Sequence, residues 1–162
     1  MIILEYAVAL VIALVSQNVS EWFVHKYILH KLGANKNSFF HYHWEHHNRC
    51  RKLRNMDTDY IQMYVRDGIT KMVVKEIALM AVLSLVMGGF IFFFTWPALG
   101  VATVIVLWYY FFIHAYSHIN PTFGKKYLPW HYDHHMGKDQ NKNWCVTFPW
   151  FDWVMRTRVK RD

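Results

Sequence analysis

Cysteine is nearly absent from the chain, which has only Cys50 and Cys145 among its 162 residues. The two form no Cys-x-x-Cys pair, and this excludes a cysteine-based zinc site and a rubredoxin-like iron site. A disulfide between them stays open, although no feature of the sequence requires one. Motifs for flavin, haem or iron–sulfur binding are lacking, and so is the Glu-x-x-His signature of soluble di-iron bundle enzymes. Any metal chemistry of this chain must therefore use other ligands.

Acidic residues are also scarce. The chain has 11 Asp and Glu but 18 Lys and Arg, which gives a net charge of +7. An excess of this kind can indicate nucleic-acid binding. Its arrangement around long apolar runs is better explained by a membrane surface, so we expect no nucleic-acid partner. The first residues lack the basic start and the small-residue cleavage site of a signal peptide, so we do not expect a removable one.

Charged residues are almost missing from three apolar stretches. About 20 apolar residues are needed to cross a bilayer as a helix, and residues 2–24 supply them. Residues 77–94 give the strongest transmembrane signal, and residues 98–113 follow after a turn at 95–97. The sequence therefore predicts an all-α integral membrane protein with an N-terminal transmembrane helix and a transmembrane helical hairpin. Residues 61–74 are interpreted as an amphipathic helix at the membrane surface.

Lysine and arginine indicate which side of the membrane each loop occupies. If the chain starts outside, the first helix ends inside, and the hairpin leaves from and returns to that side. All 18 Lys and Arg then fall on one side, which the positive-inside rule makes cytoplasmic. The 11 histidines fall there as well. We therefore expect one multi-pass, membrane-embedded domain over residues 1–162, with its site on the cytoplasmic face.

Histidine is the polar residue that the chain has in excess, and ten of the 11 fall into four spaced motifs. The motifs are His25-x4-His30, His43-x2-His46-His47, His114-x3-His118 and His131-x2-His134-His135. Residues three or four apart share one face of a helix, so each triplet gathers its imidazoles into one arc. Neutral imidazoles suit a divalent transition metal rather than calcium or magnesium. Ten exceed the capacity of one metal, so we predict a helical di-metal site with about five histidines on each metal.

The first motif and three carboxylates near the motifs raise separate questions. His25 and His30 are five residues apart, which is about 140° around an α-helix. They can share one metal as neighbours only if the helix deforms. Otherwise they serve two metals, or the helix breaks between them. Glu21 precedes His25 by four residues and is a candidate to orient its imidazole. Asp133 and Glu45 lie inside the two triplets at an outward helical phase, which places them outside the ligand arc or against its outer side.

His41 is the histidine outside the four motifs. It precedes His43 by two residues, so on a helix it points about 160° away from it and stands aside from the ligands. A competing pattern, His41-x4-His46-His47, would make His41 a ligand and His43 a bystander. The recurrence of the x2 spacing in the second triplet favours His43. Ser38 is expected to cap the helix that carries it.

The four motifs together resemble the fatty acid hydroxylase and sterol desaturase superfamily of integral-membrane di-iron enzymes, whose pattern is HX4H, HX2HH, HX3H and HX2HH. The resemblance spans roughly residues 21–158 and includes residues 143–152, which are similar to the segment after the family's last triplet. Family members often have glycine where this chain has Cys145. The chain is shorter than most members, and in size and in residues 25–30 it is similar to the small carotenoid ring hydroxylases.

The resemblance implies O2-dependent hydroxylation of a C–H bond in a membrane lipid, in the first place a fatty acyl chain. Sterol desaturation and carotenoid ring hydroxylation are the alternatives. It implies two iron ions on the ten motif histidines, with zinc able to replace iron in isolated protein, and no catalytic residue beyond these ligands. Glu21, Asp133 and His41 are expected around the ligands. Electrons must come from a separate donor protein, because the chain has no redox cofactor motif.

A His-rich membrane metal transporter or metal buffer is the alternative from another class. Transporters tend to place their ligands near mid-membrane, and buffers use irregular histidine tracts. Here the histidines lie at the ends of predicted helices in fixed spacings, which favours an enzyme. A membrane zinc hydrolase would need only three ligands and an open position.

Overall fold

The structure is a computed structural model that describes residues 2–58 and 71–160, with the backbone alone for residues 71–75. In these ranges the chain is helical and has no strand. The α-helices are α1 (Ile2–Phe23), α2 (Tyr42–Leu53), α3 (Lys71–Leu83), α4 (Gly89–Phe94), α5 (Pro97–Ile119), α6 (Pro121–Tyr127), α7 (Pro129–Met136) and α8 (Trp150–Val154). The surface helix expected at residues 61–74 falls mostly outside the described residues.

Three helical stretches in the described ranges are long and apolar enough to cross a membrane, as the sequence predicted. They are Ile2–Leu32, Glu76–Phe94 and Pro97–Ile119. The hairpin turns at Thr95 and Trp96, where the indole N–H of Trp96 donates to the Glu5 carboxylate at 2.8 Å. The hairpin turn and the beginning of α1 therefore lie at one end of the helices. The histidines lie at the other end.

Small side chains bring the membrane helices together. Ala9 and Ala13 of α1 are buried against Ala98, Ala102 and Val106 of α5. Lipid tails are as apolar as the side chains they replace, so close backbone approach and van der Waals packing stabilise such pairs instead. The alanine contact fixes α1 beside the hairpin and sets the relative position of the histidines that follow.

Two glycines let the arms of the hairpin approach each other. A Cβ atom on Gly100 would lie 2.6 Å from the backbone nitrogen of Phe92, and one on Gly88 would overlap a methyl group of Val104. Gly88 ends a π-helical segment, Ser84–Gly88, which joins α3 to α4. The two arms of the hairpin are thus closely packed in the part nearest the turn.

A second π-helical segment, Val24–Leu32, continues α1 without a break. A π-helix pairs each N–H with the carbonyl five residues earlier, as the Gly33 N–H does with Ile28 at 3.0 Å. Residues five apart therefore come onto one face, and His25 and His30 are both buried. The helix is therefore deformed but not broken, which is the condition under which the sequence allows the two rings to lie together.

The C-terminal part of the chain folds back over the end of α1. Trp22 of α1 donates to the Thr157 hydroxyl at 2.9 Å, and the Asn18 side chain donates to the Phe148 carbonyl at 2.6 Å. Cys145, in the same segment, is buried and free, as Cys50 also is. Together with α2 and α7, this segment closes the histidine end of the bundle.

Candidate metal centre

Nine motif histidines form two compact groups at the closed end of the helices. Within each group, one ring nitrogen per histidine lies within 4.8 Å of those of the others. Group A comprises His25, His30, His43, His47 and His134. Group B comprises His46, His114, His118 and His135. The tenth motif histidine, His131, adjoins group B, because its Nε2 lies 3.1 Å from Nε2 of His118.

Each triplet divides between the two groups. Helix α2 supplies His43 and His47, one turn apart, to group A and His46 to group B. Helix α7 supplies His134 to group A and His135 to group B. The pair on the π-helical segment belongs wholly to group A, and the α5 pair belongs wholly to group B. Both groups therefore draw on three separate helical segments.

Backbone carbonyls fix the proton on two rings of group A. Nδ1 of His25 lies 2.5 Å from the carbonyl oxygen of Trp144, and Nδ1 of His134 lies 2.7 Å from that of Lys142. A carbonyl oxygen only accepts hydrogen bonds, so each Nδ1 carries the proton. Each Nε2 is then left with a free lone pair.

A side-chain amide holds a third ring of group A in the same way. When the amide of Gln140 is oriented to satisfy its neighbours, its oxygen accepts from Nδ1 of His47 at 3.0 Å and also from the Arg51 guanidinium. Arg51 donates in addition to the Gly137 carbonyl at 2.9 Å. The half-buried Gln140 is therefore a fixed acceptor, and Nε2 of His47 keeps its lone pair.

The Nε2 atoms of group A crowd together. Nε2 of His43 lies 2.9 Å from that of His25 and 3.0 Å from that of His47, which is 3.1 Å from that of His134. Lone pairs at this distance repel one another unless a cation lies among them. A metal about 2.1 Å from each imidazole in octahedral geometry would space neighbouring nitrogens by about 3.0 Å. Group A therefore fits one divalent transition metal.

Two carboxylates lie near Nδ1 atoms of group B histidines. Nδ1 of His114 lies 3.4 Å from a Glu76 carboxylate oxygen. Nδ1 of His46 lies 3.9 Å from a carboxylate oxygen of Asp57, which Arg49 also contacts at 3.0 Å. Such carboxylate–histidine pairs orient metal ligands and raise their basicity. Group B thus has negative charge behind its ligands, whereas the acceptors behind group A are neutral.

Several buried ring nitrogens have no partner within the described residues. They are both nitrogens of His30, both nitrogens of His135 and Nδ1 of His131. A buried polar atom left without a hydrogen bond costs about 1–3 kcal/mol. A metal ion in each group would satisfy one nitrogen of His30 and one of His135, so these two rings also fit metal binding.

Burial sets the protonation state of these rings. Removal from water lowers the pKa of His43, His47, His131, His134 and His135 well below the ordinary value of histidine. The cause is that desolvation disfavours the charged imidazolium. At physiological pH these rings are neutral, which is the form that binds a metal.

Glu21 does not hold His25. Its carboxylate accepts from the backbone N–H groups of Val146 and Thr147 at 2.8 and 3.0 Å, and from the Thr147 hydroxyl at 2.7 Å. His25 is oriented by the Trp144 carbonyl instead. The prediction that Glu21 orients His25 is therefore wrong, because the π-helical segment begins between the two residues. The Glu21 carboxylate instead anchors the loop that supplies the Trp144 carbonyl.

The other residues expected around the ligands lie outside both groups. Asp133 accepts from the Arg158 guanidinium at 3.2 Å, and Glu45 is exposed. Nδ1 of His41 lies 2.8 Å from the Gly33 carbonyl oxygen. His41 ends a 3-10 turn that Ser38 caps and that runs directly into α2. His43, and not His41, is the residue grouped with the other histidines.

Sequence reasoning missed most of the partners behind the rings. Asp57 and Glu76 lie outside the histidine motifs, and the carbonyls of Trp144 and Lys142 are backbone groups that a motif cannot display. One signal was available. Glu76 is a carboxylate at the edge of an apolar helix, where an ionisable residue usually has a function.

An apolar cavity of about 310 Å³ lies between the membrane helices and reaches group A. Its walls include Val24 and Leu29 beside His25, and Leu79 and Leu83 of α3. Cavities that take small organic ligands are mainly apolar with a few polar groups. This one has the composition and position to take an apolar chain from the membrane.

Three helices able to cross a membrane, together with two buried groups of imidazoles able to hold metal ions and an adjoining apolar cavity, are the features of a membrane metalloprotein. A family model described as fatty acid hydroxylase matches residues 10–157. The chain belongs to the fatty acid hydroxylase family, and this membership makes it an oxidoreductase. The resemblance seen in the histidine motifs is thereby confirmed. Comparison with curated proteins and with solved structures gave no match.

Proposed function

We propose that this protein is a membrane di-iron enzyme that uses O2 to hydroxylate a C–H bond of a fatty acyl chain. The observation that carries the proposal is the position of His25, which belongs to group A and also lines the apolar cavity. An acyl chain in this cavity would lie directly against the metal group. Membership of the fatty acid hydroxylase family supports this class of reaction.

Groups A and B would each hold one iron ion, and His131 would complete group B. When bound, the two ions supply the reduction of O2 and the removal of hydrogen from the substrate C–H bond. Overall, the lipid, one O2, two electrons and two protons give the hydroxylated lipid and one water. The imidazoles also accept zinc, so the reaction rather than the ligand set specifies iron.

The chain's own contribution begins with the exclusion of water. Each of the ten motif histidines is at most 5% exposed. The loop at residues 141–149 covers group A, and two buried carboxylates, Glu21 and Asp152, hold its backbone N–H groups. A dry site protects the reacting groups from side reactions with solvent.

Glu76 connects the substrate cavity with group B. Its carboxylate faces Nδ1 of His114, and the same residue lines the apolar cavity. By accepting a hydrogen bond from the Nδ1–H group it would hold the His114 ring with Nε2 toward the metal. Its negative charge would also offset part of the positive charge of the ion in group B.

The proposed enzyme works at the cytoplasmic face as a single membrane-embedded domain. The hairpin turn and the start of α1 lie at the end of the helices opposite the histidines, and Lys and Arg gather at the histidine end. The positive-inside rule then supports a cytoplasmic position for the site. Its electrons would come from a separate donor protein on that side.

Lipid profiling under isotopically labelled O2 tests the proposal. Cells without an enzyme of this class would express the unaltered protein, His135→Ala or His41→Ala. We expect labelled hydroxyl groups on acyl chains with the unaltered protein and with His41→Ala, and none with His135→Ala. Unlabelled acyl chains in every strain would contradict the proposal.

The same experiment separates the alternatives. Labelled carotenoids, or new double bonds in sterols, would assign the protein to carotenoid ring hydroxylation or sterol desaturation. Accumulation or efflux of metal by the cells, with no oxidised lipid, would indicate a metal transporter or buffer.

A further inference from the structure

A second opening also reaches group A. It has a volume of about 440 Å³, and its walls include His30 of group A together with Lys26, Lys31, Trp44 and Trp144. The apolar cavity is lined by His25 instead, and the two cavities share no lining residue. Group A is therefore approached from two separate places, one apolar and one basic.

The charge of the second opening indicates an anionic occupant. Its walls in the described part of the chain contain two lysines and no carboxylate. Lys31 is exposed, and the Lys26 ammonium lies 4.2 Å from the centre of the Trp22 ring. Carboxylates on a partner would complement both lysines.

Aromatic rings link this opening directly to a histidine of group A. The ring of Trp44 lies 5.0 Å, and that of Trp144 4.8 Å, from the ring of His30 between centroids. The indole N–H of Trp44 also donates to the His30 carbonyl at 2.9 Å. Trp144 is buried, whereas Trp44 is half-buried. Trp44 therefore connects the protein surface with the centre through contacting π-systems.

We propose that this opening docks the electron donor, an acidic one-electron carrier protein, and that Trp44 conducts the electrons to His30 and group A. The inference rests on the proposed function, which needs two electrons from outside for each hydroxylation. Each transfer oxidises one reduced carrier and reduces the metal pair by one electron. Two carriers are consumed per turnover, and two protons come from water. A lipid headgroup would also suit the lysines, but it carries no electron and leaves the aromatic contacts unused.

Stopped-flow reduction of the full-length, iron-loaded protein in detergent tests this docking site. The probe is a reduced, acidic plant-type [2Fe–2S] ferredoxin at low salt. We expect Lys31→Glu to raise the ferredoxin concentration for half-maximal rate at least about fivefold, because charge steering is lost. The matched control, Lys160→Glu, makes the same charge change at an exposed site that does not line this opening, and we expect less than about a twofold effect.

A second pair of variants tests the aromatic path. Trp44→Leu should lower the maximal rate of reduction and leave the half-saturating ferredoxin concentration unchanged, whereas Trp44→Phe should keep most of the rate. Dithionite, which needs no docking, should reduce all four variants as fast as the unaltered protein.

Two results would overturn the inference. One is an unaltered protein that takes no electrons from the ferredoxin, and the other is Lys31→Glu behaving like Lys160→Glu. A loss of thermal stability of Lys31→Glu confined to bilayer discs of anionic lipid, with an unchanged ferredoxin rate, would assign the lysines to headgroups instead. Failure of the proposed function is recognised separately, since iron analysis before the kinetics would then show no pair of metals.

Discussion

At the scale of single residues, the hydrogen-bond acceptors near the rings distinguish the two histidine groups. Trp144 and Lys142 offer neutral carbonyls to group A, whereas Glu76 and Asp57 place carboxylates behind group B. Carboxylate partners make imidazoles more basic ligands. The two metals of the proposed centre therefore differ in affinity, with the acidic partners favouring the ion in group B.

Replacement of Glu76 tests this asymmetry. Glu76→Gln keeps a hydrogen-bonding side chain and removes the charge, so we expect the affinity of one of the two metals to fall about 10–100-fold. Chelator competition with the purified protein measures the two affinities. Glu45→Gln is the control, because Glu45 is exposed on the helix that carries the first triplet. An equal loss of both metals, or of neither, would argue against the assignment.

Alanine variants of His41 and His43 test which of these two histidines is a metal ligand. His43→Ala removes a member of group A, and we expect loss of metal and of activity. His41→Ala removes only the contact with the Gly33 carbonyl, so we expect full metal content and a stability loss of about 0.5–1.5 kcal/mol. Elemental analysis and thermal unfolding measure these effects. Loss of metal from His41→Ala alone would show that the first triplet is misassigned.

At the scale of elements, the π-helical segment shows where sequence reasoning stops. The spacing of five between His25 and His30 is visible in the sequence, and it signalled that an α-helix could not serve both rings. Which way the conflict is resolved depends on tertiary contacts. The Trp144 carbonyl holds His25, and Trp44 holds the His30 carbonyl. The first contact spans 119 residues of the chain and the second spans 14, so the spacing within the motif encodes neither of them.

The division of each histidine triplet between groups A and B could not be predicted from the sequence either. Helical phase places His43, His46 and His47 in one arc, and that prediction agrees with the structure. The arc faces two groups at once, however, with His46 on one side and its two neighbours on the other. Only the positions of α5 and α7 decide this division.

The hairpin gives a prediction at the same scale. Gly100→Ala places a methyl group 2.6 Å from the backbone nitrogen of Phe92, so the two arms must separate. We expect a loss of about 1–3 kcal/mol in thermal unfolding in detergent. Gly89→Ala is the matched control, because nothing lies within 4 Å of its added Cβ and alanine is the better helix former. Equal stability of the two variants would contradict the close packing of the arms.

At the scale of the whole molecule, the three membrane helices were predictable because long apolar runs with few charged residues are typical of helices that cross a bilayer. The sequence boundaries agree closely with the second stretch, whereas the first runs to Leu32 rather than residue 24 and the third to Ile119 rather than residue 113. His114 and His118 continue the third helix. Because they are polar, the apolar run in the sequence ends before the helix does. The sidedness of the site stays a prediction, since it depends on charge rather than on packing.

Cysteine reporters test that sidedness. Cys50 and Cys145 are buried, so an added cysteine can be labelled selectively. Asn35→Cys lies at the histidine end and Thr95→Cys at the hairpin turn, and both positions are exposed. In intact cells an impermeant thiol reagent should label Thr95→Cys, and it should reach Asn35→Cys only after lysis. The reverse pattern would place the site on the outer face.

The two-metal centre is the central claim, and metal analysis of the purified protein tests it most directly. Detergent-purified protein from iron-supplied cells, studied by elemental analysis and Mössbauer spectroscopy, should contain close to two iron ions per chain, one for each histidine group. The two should give distinct signals, because carboxylates stand behind only one of the groups. A reproducible content of one metal per chain, or of none, would contradict the account.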